Sequence, residues 1–434
     1  MRAVDLIQKK KEGQKHTREE IYSLVDGYMK GEIEDYQMSA WLMAVCFQGL
    51  DKDETAWLTE AFVDSGEVLD FSHISDFVAD KHSTGGVGDK VTIVLIPLLA
   101  SLGVTCAKLS GRGLGYTGGT VDKLESIPGF KCEMSKDEFM SQIKEINAAI
   151  SSQSPNLTPA DGKIYALRDV SATVDNKSLI CASVVSKKIA SGANSIVLDV
   201  KYGSGAFIKT KEEAQELANL MIETGALLNR KISAIITSME QPLGKNIGNS
   251  LEIIESIEFL KGNYEKDLYD VTLEIVAKTL IAGGLCKTKQ EAKEKMDESI
   301  KSGSALEMLK KIIACQGGNP DVINDYSLFH PAKNSVEIKA EQNGYISNLD
   351  ALEIAHACKL LGAGRDKKTD PIDYSAGCIL CKKTGDAVQK GETVLTLYHN
   401  DIKEEKLKEA KEHAGNSFLI TNTKVTPPVL IYGV

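Results

Sequence analysis

The 434-residue chain is 42% hydrophobic and 26% charged, enough apolar content for substantial cores in about three domains. A net charge of −10 and a pI near 5.4 exclude a general nucleic-acid binder, whose phosphate contacts need clustered cations. The highly charged first twenty residues do not read as a signal peptide, the longest apolar run (91–104) is too short to span a bilayer, and nine cysteines without a disulfide framework fit a reducing cytoplasm.

Helices are expected first. Thr17 with Glu20 forms a capping box ahead of Ile21, Leu24, Val25 and Tyr28, and Asp51 with Glu54 opens another helix through Trp57, Leu58 and Phe62. From about Asp76, short apolar runs end in glycine-rich turns: 77–80 leads into KHSTGGVGDK, and 104–109 into SGRGLGYTGGT. Ser135 with Glu138 caps a helix that leads to an apolar run at Ala148, and buried strands are expected at 195–200 and 232–236. This alternation predicts an α/β sheet covered by helices. Residues 159–193 read as a helical insert able to pack with the N-terminal helices. Near the C-terminus, 336–347 reads as a hairpin around Asn343-Gly344, 352–361 as a helix, and 379–399 as strands. Cys378 and Cys381 form one CxxC, read as two small side chains on a strand.

Two loops carry the chemistry. In the first, glycines at 85, 86 and 88 let backbone N–H groups approach an oxyanion, while Lys81, Ser83 and Thr84 add charge and hydroxyls. The second has five glycines among nine residues from Gly111, and Ser110, Thr117 and Thr120 offer hydroxyls to the same anion. Arg112 and Asp122 are read equally as an ion pair bracing that loop or as ligand contacts. Further on, in YALRDVSATVD and after it, Arg168, Ser183 and Lys187 are candidates for a polar ring; Ser183 and Lys187 share a helix face, and Lys188 is read as solvated.

The segments DKHSTGGVGD, SGRGLGYTGGTVDKLE, YALRDVSATVD, DVKYGSGAF and GAGRDKK resemble, in order, those of the thymidine and pyrimidine-nucleoside phosphorylase family. The resemblance implies a homodimer with a small helical domain (1–68 and 159–193) and a large mixed α/β domain (74–154 and 196–434). The large domain includes a C-terminal α+β subregion at 335–434, and a cleft separates the two domains. It implies that Lys81, His82, Ser83, Thr92, Lys108, Leu109, Ser110 and Thr120 surround phosphate, and that Arg168, Ser183 and Lys187 hold the pyrimidine, with His82 near its O2. Broader members of the family bind a monovalent cation, K+, through positions matching Gly88, Lys90, Leu243, Asn246 and Glu255; no organic cofactor is implied.

Three positions depart from the family pattern. Tyr116 replaces a usual His, Lys90 replaces a small hydroxyl residue, and 151–154 (SSQS) differs from a usual Gly-Gln-Thr. On this reading His82, Arg168 and Lys187 are the catalytic residues and His82 serves as the acid at its ordinary pKa near 6.5. Phosphate held by the loops then attacks C1′ of uridine, thymidine or deoxyuridine. Lys108 ahead of SGRG favours acceptance of uridine over a strict thymidine phosphorylase. The rivals are an anthranilate-type phosphoribosyltransferase, which needs carboxylates for a Mg²⁺–diphosphate, and a nucleoside-binding protein without activity.

Overall fold

The computed structural model describes residues 2–113, 118–365, 367 and 370–433. Six helices build one lobe: Ala3–Lys11, Arg18–Met29, Asp35–Gln48, Lys52–Asp64, Pro159–Val170 and Lys177–Ala190. Both capping boxes expected in this lobe are formed, Thr17 with Glu20 and Asp51 with Glu54. The last two helices come from far along the chain, yet Ala160, Ile164, Leu179 and Ala182 enter the same core as Ile21, Leu24, Trp41 and Phe62. Burial of their apolar faces draws them there.

The larger lobe is organised on β1 (Val78–Ser83), β2 (Thr105–Ser110), β3 (Ala148–Ser152), β4 (Ser195–Tyr202) and β5 (Lys231–Ser238). These five run parallel in the order β3-β2-β1-β4-β5. Helices Val91–Ser101 and Lys266–Ala282 help to cover the sheet, and the first is buried over nearly all its length. The remaining strands are β6 (Asn246–Gly248), β7 (Asn334–Lys339), β8 (Gly344–Leu349), β9 (Gly377–Leu380), β10 (Ala387–Val388), β11 (Thr393–His399), β12 (Phe418–Thr421) and β13 (Ile431–Gly433). The final strand returns to the large sheet, antiparallel on the outer edge of β5.

The hairpin expected at 336–347 is not formed. β7 pairs with β11 in a four-stranded sheet, β6-β9-β11-β7, whereas β8 pairs with β10 and β12 in a second sheet. Local turn chemistry at Asn343-Gly344 is overridden by pairing with strands distant in sequence, β11 for β7 and β10 and β12 for β8. No helix among the described residues is long and apolar enough to cross a membrane.

Candidate active site

β1 and β2 are neighbours, so both glycine-rich loops leave the same edge of the sheet, as ligand sites of open α/β sheets require. Lys81, near the end of β1, is buried, with its ammonium 3.6 Å from Asp89 Oδ2 and 3.7 Å from Asp199 Oδ2. Asp199 is held more closely by others: Lys201 Nζ lies 2.8 Å from its Oδ2, and Thr237 Oγ1 donates to its Oδ1 at 2.6 Å. Among the described residues, Lys81 Nζ is therefore left without a hydrogen-bond partner, and so is the buried hydroxyl of Ser110 at the end of β2. Buried donors without partners are rare and costly, which marks this as a place suited to an anion.

Around these two donors, Ser83 Oγ accepts from Gly85 N at 3.1 Å, and Thr92 lies in the first turn of helix Val91–Ser101. Thr120 begins the helix Thr120–Leu124. The second loop is braced, as the ion-pair reading of Arg112 and Asp122 expects. Arg112 forks onto Glu125 at 2.6 and 2.8 Å and reaches Asp122 at 3.2 Å. Asp122 also takes Gly113 N at 2.7 Å and Arg365 at 2.9 Å. A Cβ at Gly119 would strike the backbone of Arg112 and Gly113, so only glycine allows the loop's two arms to meet. The readings of Tyr116 and Thr117 lie outside the described residues.

Two lysines behave differently from their sequence reading or gain unforeseen partners. Lys188 is not solvated: its ammonium is buried, 2.8 Å from Asp80 Oδ2 and 3.1 Å from the Leu109 carbonyl. It thus ties the last turn of the helical lobe to β1 and β2. Lys108 donates to the Lys81 carbonyl and sits 3.3 Å from Asp80 Oδ1. Burial, opposed by Asp80 but assisted by Lys188 and Lys81, pushes Lys108 down to about 7. Leu109 contributes its carbonyl to Lys188.

The same charges correct the expectation for His82. Burial and the neighbouring Lys188, Lys108, Lys81 and Lys187 push its imidazole well below the usual histidine range. It is neutral at pH 7, able to donate one ring N–H but not to act as an imidazolium acid.

In the helical lobe, Asp161, Tyr165 and Arg168 lie on one face of helix Pro159–Val170. Lys187 Nζ lies 2.6 Å from Asp161 Oδ2 and donates to Ser183 Oγ at 2.9 Å. The Tyr165 ring has Lys187 Nζ 5.5 Å and Arg168 Cζ 5.6 Å from its centroid. Arg168 is buried and gives one N–H each to the carbonyls of Thr173 (3.1 Å), Leu179 (3.2 Å) and Val174 (2.7 Å), which fixes the turn between the two helices. Sequence reasoning missed Asp80, Asp161, Asp199 and Lys201. Asp161 could have been found from its spacing of four to Tyr165 and seven to Arg168; Asp80, Asp199 and Lys201 lie in the segments DKHSTGGVGD and DVKYGSGAF, which were their one signal.

The residues expected to hold K+ are together, but they do not fit a free cation. Lys90 Nζ donates to the Leu243 carbonyl at 2.6 Å and lies 2.8 Å from Glu255 Oε2, beside Gly88. Asn246 gives its backbone N–H to Glu255 at 2.9 Å. Cys378 is buried beside Cys358, while Cys381 is exposed, and both members of the CxxC are free thiols.

The fold and site define the class. Residues 4–66 match the helical bundle domain and 75–306 the a/b domain of the glycosyl transferase family, while 345–420 match the pyrimidine nucleoside phosphorylase C-terminal domain. A pyrimidine-nucleoside phosphorylase of Geobacillus stearothermophilus is 48% identical over 432 residues, covering 100% of this chain and 99% of its own. That of Bacillus subtilis (strain 168) is 49% identical over 400 residues, 92% of each chain. The chain belongs to the pyrimidine-nucleoside phosphorylase family. The crystal structure of an anthranilate phosphoribosyltransferase from Thermus thermophilus shares the fold alone, with a TM-score of 0.57 at 18% identity over 72% of this chain and 99% of that one.

Proposed function

We propose that this protein splits uridine, thymidine and deoxyuridine reversibly with inorganic phosphate, giving the free pyrimidine and ribose or deoxyribose 1-phosphate. The observation that carries the reading is a pair of buried donors at adjacent strand ends, Lys81 Nζ and Ser110 Oγ, without hydrogen-bond partners among the described residues. Phosphate oxygens satisfy both, with Ser83, Thr92 and Thr120 completing the shell. A phosphate oxygen attacks C1′ as the C1′–N bond breaks, and that electron pair leaves with the pyrimidine. Negative charge then grows on the base. Lys187, Ser183 and the remaining N–H groups of Arg168 stabilise it, and neutral His82 donates its ring N–H to O2. The departing base takes its proton from solvent.

Uracil released from uridine, measured with and without phosphate, tests the reading. Release that needs phosphate and survives EDTA is expected. Absence of release would favour the non-catalytic alternative, and EDTA sensitivity the phosphoribosyltransferase. The protein is also proposed to act as a cytoplasmic homodimer. Nine free thiols support the compartment. Exposed Tyr36, Met43 and Phe47, seven and four apart on helix Asp35–Gln48, support an interface on the helical lobe. Light scattering at micromolar concentration tests the assembly; a monomer refutes it.

A further inference from the structure

The segment after β5 carries successive carbonyls turned toward cations. Lys383, from the turn between β9 and β10, donates to the carbonyls of Pro242 and Gly244, each at 3.0 Å, and pairs with Asp267. Between them the Leu243 carbonyl accepts from Lys90, whose buried ammonium also rests on Glu255. Glu255 uses its other lone pairs on the backbone N–H groups of Lys245 (2.8 Å) and Asn246 (2.9 Å). Space for the ammonium is made by Gly244 at φ +71: a Cβ there would lie 2.7 Å from Lys90 Nζ and 2.6 Å from Glu255 Oε1.

We infer that the Lys90 ammonium is a covalently tethered substitute for a monovalent cation, so that this protein needs no K+. The pocket supplies a backbone carbonyl and a buried carboxylate to a single positive charge, and a lysine head supplies that charge with three donors. An exchangeable ion stabilises in proportion to the logarithm of its concentration, whereas a tethered one is always present. Its mechanical role is local. Lys90 follows Asp89, whose carboxylate faces Lys81 and whose carbonyl accepts from Lys123 at 2.9 Å. The ammonium therefore fixes the exit of the first phosphate loop to the 242–246 segment.

The test compares thermal midpoints, and phosphorolysis rates, in KCl, NaCl and choline chloride at equal ionic strength. For the natural chain the midpoint is expected to be the same in all three salts and the rates to agree within about twofold. A midpoint that rises saturably with K+ but not with choline overturns the inference, whatever the activity. Lys90→Ser vacates the pocket and is expected to lower the midpoint in choline and to recover it with K+. A folded Lys90→Ser protein indifferent to K+ also overturns it. Should that variant fold in neither salt, the comparison on the natural chain decides. Midpoints do not depend on catalysis, so this outcome is separable from failure of the proposed activity.

Discussion

Replacing Lys187 by methionine removes the ion-pair partner of Asp161, a fully buried carboxylate whose oxygens make no well-aligned hydrogen bond. At 2.6 Å the gross attraction is about 6 kcal/mol with an effective dielectric of about 20. Desolvation offsets much of it, and breaking one side of a buried pair costs about 3–5 kcal/mol. The stranded carboxylate can escape by taking up a proton. From the reference carboxylate range this costs about 4 kcal/mol at pH 7 but only about 1.5 at pH 5, which sets a ceiling that falls with pH. Lys187→Met is thus expected to lose about 3–4 kcal/mol at pH 7 and to regain over half of that at pH 5. Adding Asp161→Asn removes the stranded charge, so the double variant recovers stability. It does not recover activity: kcat/KM stays about 10²–10³-fold down, as for loss of a donor aimed at developing negative charge. Urea unfolding followed by circular dichroism at both pH values, with uridine phosphorolysis in parallel, reads all of this. Equal stability of Lys187→Met and the natural chain at pH 7, or a double variant with restored turnover, refutes the reasoning.

Lys188→Met, one position on, breaks the buried pair with Asp80 and is expected to cost about 3 kcal/mol because Asp80 then keeps Lys108 alone among the described cations; a change below about 1 kcal/mol in urea unfolding contradicts the bridge between the lobes. Lys81→Met is expected to raise the apparent KM for phosphate at least about tenfold, beyond any stability lost with its ion pairs to Asp89 and Asp199; an unchanged phosphate KM in the folded variant places the anion elsewhere. With His82 neutral down to well below pH 6.5, log kcat/KM at saturating phosphate should show no acid limb assignable to His82 near 6.5, and a limb there that vanishes in His82→Gln contradicts this. Because Lys108 is lowered to about 7, the unfolded chain binds the extra proton between about pH 7 and 10.5, so stability rises with pH across that window. For one ideal site the gain is about 3 kcal/mol from about pH 7 to 10, and the difference between the natural chain and Lys108→Met should show that slope; parallel curves refute it.

Much of the site was legible because its chemistry is local in the chain. A lysine, two hydroxyl residues and glycines on one turn read as an anion loop without any knowledge of packing, and the capping boxes at Thr17 and Asp51 formed as local side-chain chemistry requires. Family segments spread over the whole chain then named the substrate class. What stayed hidden was every partner brought by another segment. Lys187 and Lys188 are neighbours in sequence but point to different sides of one helix, one to Asp161 and the other across the lobes to Asp80. Burial, with these lysines beside it, also pushes His82 below the usual histidine range, which no reference value could foretell. Likewise, Asn343-Gly344 is a sound hairpin signal, yet β7 and β8 entered separate sheets because burial is decided by distant strands. Sequence alone thus nominated the groups proposed to grip an anion and a pyrimidine. Only the tertiary structure decided which lysines are free to do so, because a buried cation's role is set by the carboxylates and carbonyls folded around it.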